Sequence, residues 1–290
     1  MKKKIMAITA AAIMALSCFA LTGCGGGEEA SADADLAYVQ DKGTLVVGIT
    51  DFAPMDYKDD NGEWIGFDAD LARDYAEYIG VDVEFIEINW DSKEMELENK
   101  NIDCVWNGMT LTDGVMEAME TSNAYCNNAQ VVVVNDDIAD SIKSVEDCMD
   151  LSFVVEAGSA GKIQAEANGF TFTEVDVQAK ALVEVAAGTS DAAIIDSLMA
   201  GAMIGEGTSY ANLKGTVKLN SEEYGVGFRK GSNLVAELNA FFDECKANGS
   251  TPNQSFSQDH SAFCRACYTD RPCADPGAGA AAAGQCVPSA

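Results

Sequence analysis

The residues best suited to chemistry lie between Asn101 and Thr112, in the run NIDCVWNGMTLT. Thr110 and Thr112 offer hydroxyls, and Gly108 lets backbone come close to a small molecule. This is hydrogen-bonding chemistry, suited to holding a polar solute. General acid–base chemistry finds no histidine before His260, and no single base stands out among 47 acidic residues. The apolar segment Ile102 to Trp106 reads as a buried strand that breaks at Asn107-Gly108. Ligands of open α/β sheets sit just beyond the carboxyl ends of strands. The same residues also fit an ordinary strand-to-helix turn.

The elements that would position this stretch follow a βαβ rhythm, which implies a mostly parallel sheet. Leu45 to Ile49 is a buried strand, and Asp59-Asp60-Asn61-Gly62 between Tyr57 and Trp64 is a hairpin turn. Phe67, Leu71, Ala72, Tyr75 and Ile79 have helical spacing, and Val81 to Ile88 alternates as a strand. Ala129 to Asn135 is a bare β-branched run that crosses to a second half, where the pattern restarts. Leu151 to Val155, Phe170 to Val175 and Ala192 to Asp196 read as strands, and Lys162–Asn168 and Gln178–Ala187 as helices. Tyr224 to Phe228 crosses back, and Asn233 to Ala247 closes the chain as a helix. The halves share a phrase of turn, Asp, apolar strand and terminal polar residue, ending in Asn107 and in Asp196. The expected fold is α/β, a bilobal clamp of two α/β lobes joined by two crossover strands. Lobe I spans 38–131 and 225–250, and lobe II spans 132–224, with hinges at 131–135 and 224–228.

The chain has 290 residues and a formal net charge of −29, which disfavours nucleic acid and anionic lipid as partners. Lys2-Lys3-Lys4 followed by the apolar Ile5 to Leu21 is the plan of a secretory signal over 1–23. It ends in Leu21-Thr22-Gly23-Cys24, which resembles a bacterial lipobox with Cys24 as the lipidated residue. Residues 24–37 then form a flexible acidic tether, and no further run is long and apolar enough to span a membrane. Cys104, Cys126, Cys148 and Cys245 suit buried small hydrophobes or one disulfide. The tail over 251–290 is rich in Ala, Gly, Pro and Ser and is expected to be disordered. Its Cys264-Arg-Ala-Cys267 with nearby His260 has zinc-ligand spacing, but one such pair is too little to assign a metal.

Gly43 to Gly48, Gly66-Phe67-Asp68-Ala69-Asp70-Leu71, Gly108-Met109-Thr110-Leu111-Thr112, Ser122 to Tyr125, Gly158-Ser159 and Asp191 to Asp196 together resemble the polar amino-acid-binding proteins of bacterial ABC importers, solute-binding protein family 3. The resemblance spans roughly 36–250 and implies the periplasmic-binding-protein clamp, a free amino acid as ligand, permease subunits as partners and no cofactor. It further implies a monomer tethered to the extracytoplasmic face of the cell membrane by lipid alone. Carried onto this sequence, Asp196 takes the ligand's ammonium group, or caps a helix. Gly158 and Ser159 at a helix start take its carboxylate, Thr110 and the backbone of Asn107, Gly108 and Met109 share the contacts, and Phe52 and Trp90 sandwich the side chain. Asp51, at the rim, favours a basic or polar side chain. One departure matters: Val115 stands where the family carries a carboxylate-clamping arginine, which leaves the ligand class open. An enzyme of the same fold, dehydratase-like or wall-lytic, and an extracellular sensor are the alternatives.

Overall fold

A computed structural model describes residues 34–248. The expectations placed on the leader, on Cys24 and on the tail with His260, Cys264 and Cys267 lie outside the described residues. The chain runs α1 (Asp35–Lys42), β1 (Thr44–Ile49), β2 (Tyr57–Lys58), β3 (Trp64–Ile65), α2 (Phe67–Ile79), β4 (Asp82–Glu87), α3 (Lys93–Glu98), β5 (Cys104–Thr110), α4 (Asp113–Ala118), β6 (Glu120–Thr121) and β7 (Cys126–Asn128). It continues with β8 (Gln130–Asn135), α5 (Asp136–Ala139), β9 (Ser152–Glu156), α6 (Ala160–Asn168), β10 (Thr171–Val175), α7 (Gln178–Ala187), β11 (Ala192–Asp196), α8 (Ser197–Met203), β12 (Leu213–Lys218), β13 (Glu222–Phe228) and α9 (Leu234–Asn248).

Among the described residues the strands form two large sheets and the small β2–β3 hairpin. The first sheet runs β4-β1-β5-β13-β6, with β7 also on β13; the second runs β10-β9-β11-β8-β12. β1 lies parallel to β4 and β5, and β9 parallel to β10 and β11, so their carboxyl ends gather at one side of each sheet. The β-branched run of β8 is explained by burial on both faces. Val131 and Val133 join the largest apolar cluster, and Val132 and Val134 join a second one with Phe153, Phe170 and Ala165. On the first sheet, Trp106 and Phe242 pack edge to face at 5.9 Å, with Tyr75 and Tyr125 beside them.

Three expectations need correction. The tether does not reach residue 37, because Asp35 and Leu36 already belong to α1. Asp35 accepts from Arg229 Nε at 2.9 Å, and the Leu36 N–H donates to Asn233 Oδ1 at 2.9 Å, which ties the helix to the domain. Asn107-Gly108 does not end a strand, since β5 continues to Thr110. Gly108 sits inside it at φ 57, in a bulge where the pairing with β13 shifts between Gly225 and Gly227. The crossings are shorter and earlier than expected: β8 lies wholly in the second sheet and β13 in the first. The links are therefore Ala129 and Leu219–Ser221.

A buried charged knot fixes the back of the first sheet. Arg229, just past β13, donates to Asp35, to the Ile102 carbonyl at 2.9 Å and to Asp103 Oδ1 at 3.5 Å. Asp103 Oδ2 also accepts from Lys42 Nζ and from the Val46 N–H.

Candidate functional site

The carboxyl ends of β1 and β5 from one sheet, and of β9 and β11 from the other, converge on one cavity. Phe52, Trp90, Asn107, Gly108, Met109, Thr110, Gly158, Ser159 and Asp196 all line it, and so does Val115. Asp51 does not. The residue is exposed at the surface, yet its carboxyl is partly shielded from water by its surroundings, and that shielding, then the charge of Glu87, raises its pKa against the opposing charge of Lys58. A wider opening continues from Thr110, Thr112, Ala160 and Ile163 to Asp113, Asn127, Glu222 and Glu223, an acidic mouth.

Many polar groups expected to face a ligand are already engaged by the protein. Asn107 accepts from the Thr50 N–H at 3.0 Å and donates to Thr50 Oγ1 at 2.7 Å. The Gly108 N–H donates to buried Asp68 Oδ2 at 2.6 Å, which also accepts from Tyr125 at 2.7 Å. Thr110 donates to Glu222 Oε1 at 3.0 Å. Ser159 caps α6, its Oγ accepting from the Lys162 N–H at 3.1 Å. Phe52 closes over Gly108: a Cβ there would stand 2.3 Å from Phe52 Cε1, so only glycine fits beneath the ring.

Asp196 does not cap α8 with its side chain. Instead Asn128 and Tyr224, both from strands of the first sheet, donate to its Oδ1, and Gln178 donates to Oδ2 at 2.6 Å. Burial, then the charge of Glu222, pushes its pKa up to about 7. The carboxylate thus joins the two sheets.

The cavity also holds residues that sequence reasoning passed over: Glu156, Gln178 and Lys93. Glu156 ends β9 beside Asp196 on adjacent parallel strands, and it accepts from the Gln178 N–H at 3.2 Å. Burial, then the charge of Asp196, pushes its pKa up to about 8. The available signal was its place at the end of an apolar strand, the same signal that singled out Asp196. Lys93 is buried at the start of α3, and burial lowers its pKa. Among the described residues no group of three or more His, Cys, Asp or Glu side chains could hold a metal ion.

Two sheets whose strand ends face a shared polar cavity constitute a solute trap rather than a surface binding patch. Residues 45–254 match the family described as bacterial extracellular solute-binding proteins, family 3. The chain belongs to this family. It is 29% identical to the arginine-binding extracellular protein ArtP of Bacillus subtilis, across 86% of this chain and 94% of that one. Among solved structures, holo ArgBP from T. maritima matches with a TM-score of 0.67 at 29% identity, over 72% of this chain and 93% of its own. An ancestral amino acid-binding protein, described as a precursor of cyclohexadienyl dehydratase, matches with a TM-score of 0.68 at 32% identity, over 74% and 94%. The bilobal α/β clamp read from the sequence is the architecture these relatives share. Those named here are binding proteins.

Proposed function

We propose that this protein captures a free amino acid, or a solute of similar size and polarity, between its two lobes by hinge closure, and passes it to the permease subunits of an ABC importer. The observation that carries this reading is the joint lining of one cavity by strand ends of both sheets, with Asp196 and Ser159 facing it from the second and Trp90 and Thr110 from the first. The lobes divide near Ala129 and Leu219–Ser221, short links on which closure can pivot. The acidic mouth and the paired acids Asp196 and Glu156 favour a ligand with at least one cationic group. Ligand contact by Phe52, Trp90, Asn107, Gly108, Met109, Thr110, Gly158, Ser159 and Asp196 is part of this proposal. So are a monomeric state and lipid anchoring through Cys24 at the extracytoplasmic face; a mature chain whose N-terminal peptide carries no fatty-acyl mass on Cys24 would sink the anchor.

A binding screen tests the capture reading. The purified protein is melted with each of the twenty standard L-amino acids, L-ornithine and L-cystine, while product formation is followed by NMR. A rise in melting temperature without turnover is expected, because a ligand held only by the folded state stabilises it. No rise with any of them overturns the amino-acid reading. Turnover would favour an enzyme instead, with Glu156, largely protonated near pH 7, as its acid.

A further inference from the structure

We propose that Lys93 holds the ligand's carboxylate and latches the two lobes at once, doing the work expected of an arginine at position 115. This rests on the capture reading above and names the group that recognises the anionic end of the ligand.

Lys93 is 7% exposed and lines the same cavity as Val115, an apolar residue unable to meet a carboxylate. Its ammonium group has three donors. One goes to the Trp90 carbonyl at 3.2 Å within its own lobe, and a second crosses the cleft to the Gly158 carbonyl at 3.0 Å. The charge also lies 4.8 Å from the centre of the Trp90 ring. Among the described residues the third donor has no partner, and Lys93 enters none of their ion pairs. Acids act on it only at longer range, from Glu94, Glu156 and Asp91. A buried cation without a counter-ion is costly, and a carboxylate entering the cavity supplies one.

The surroundings complete the match. Gly158 leads into Ser159 and the start of α6, a nine-residue helix whose first turn lines the same cavity. Its partial positive charge adds to that of Lys93. Glu156 and Asp196 lie on the strand ends of the same lobe. The cavity therefore carries a cationic group and, once an arriving ammonium group draws off their protons, a pair of carboxylates, the two needs of a zwitterion. Because the Gly158 contact exists only when the lobes meet, a carboxylate that fixes Lys93 also favours closure.

The test compares each amino acid that binds wild-type protein with its α-carboxamide, which keeps the size and the ammonium group but loses the negative charge. Isothermal titration of wild type is expected to favour the acid about tenfold or more, the scale of one charged hydrogen bond. Lys93→Met should weaken the amide a few-fold, through loss of the bond to the Gly158 carbonyl, and weaken the acid about tenfold more than the amide, while Lys93→Arg should keep the preference. Equal affinity of wild type and Lys93→Met for the acid overturns the proposal while capture stands. Parallel loss of acid and amide also overturns it, since that marks a latch without anion recognition. Should Lys93→Met not fold, the wild-type acid-to-amide ratio decides, and a ratio near one refutes it. Binding of no amino acid by wild type removes the capture reading and this proposal together.

Discussion

Gly158→Ala separates the closed state from the stability of the fold. Gly158 has φ 69, a left-handed conformation that costs an alanine about 1–2 kcal/mol whether the lobes are open or closed. The added Cβ would also meet Asp91 across the cleft, at 2.7 Å from Oδ1 and 2.8 Å from Cα. The carboxylate can swing aside; the backbone carbon cannot. Ordinary carbon contacts lie near 3.5 Å or beyond, so the lobes must part by roughly 0.7 Å at this point. Overpacking of this kind costs about 1–3 kcal/mol, and here it falls on the closed form alone. The closed population, and with it the apparent affinity, should drop by a factor of about 5–150. The melting temperature of the unliganded protein should fall by only about 2–8 °C, the backbone strain alone. Titration calorimetry with the best-binding amino acid measures the first quantity and calorimetric melting the second. Gly66→Ala is the control, because its Cβ would lie 2.2 Å from the Met55 carbonyl oxygen within a single lobe. It should lower stability and leave the affinity of the folded protein alone. Wild-type affinity in Gly158→Ala would refute the closed geometry of the cleft.

Two further outcomes follow from the buried charges. Arg229→Met strips Asp35 and Asp103 of their shared partner and should cost about 3–5 kcal/mol in urea unfolding; a cost below about 1 kcal/mol would mean the knot is not formed. Asp196 and Glu156 have folded pKa values raised to about 7 and about 8, so the folded state binds more protons than the unfolded chain from their ordinary range up to those values. Their stabilising effect is therefore full below their ordinary pKa values, falls steadily as pH rises above about 4, and is gone above about 8, so the melting temperature of the unliganded protein should decline across that whole range. An ammonium group entering the cavity favours the ionised acids, so binding near pH 7 should release protons; identical heats in buffers of different ionisation enthalpy would contradict this.

The fold was largely legible because each half repeats one physical pattern. Bare apolar runs became the doubly covered strands β1, β8 and β11, and the helical spacing from Phe67 became α2, bounded as its periodicity indicates. The misreadings share a cause, which is long-range pairing without a local signal. Asn107-Gly108 carries strong turn chemistry, yet β13 pairs with β5 on either side of it and draws it into the sheet as a bulge. Asp35 looks like one more acid of a solvated tether, and its burial depends on Arg229, which lies 194 residues away. Neither residue announces its partner in the sequence.

The cavity shows the same limit more sharply. An acid at a strand's carboxyl end was a sound pointer to the cleft, and it applied equally to Asp196 and Glu156; only one of the two was singled out. Position alone did not reveal that Asp196 would be surrounded by donors from Asn128, Tyr224 and Gln178. With those donors it acts as a junction between sheets, and any ammonium group reaching it must share or displace them. Displacing a cross-sheet donor would loosen the closed state that the ligand is meant to favour. Glu156, with fewer protein donors and the adjacent place, can meet a cation without that penalty. Under the capture proposal Glu156 and Lys93 would meet the two ends of a zwitterion, Asp196 would touch the ligand only by sharing its cross-sheet donors, and selectivity among amino acids would fall to the apolar wall of Phe52, Trp90, Met109 and Val115.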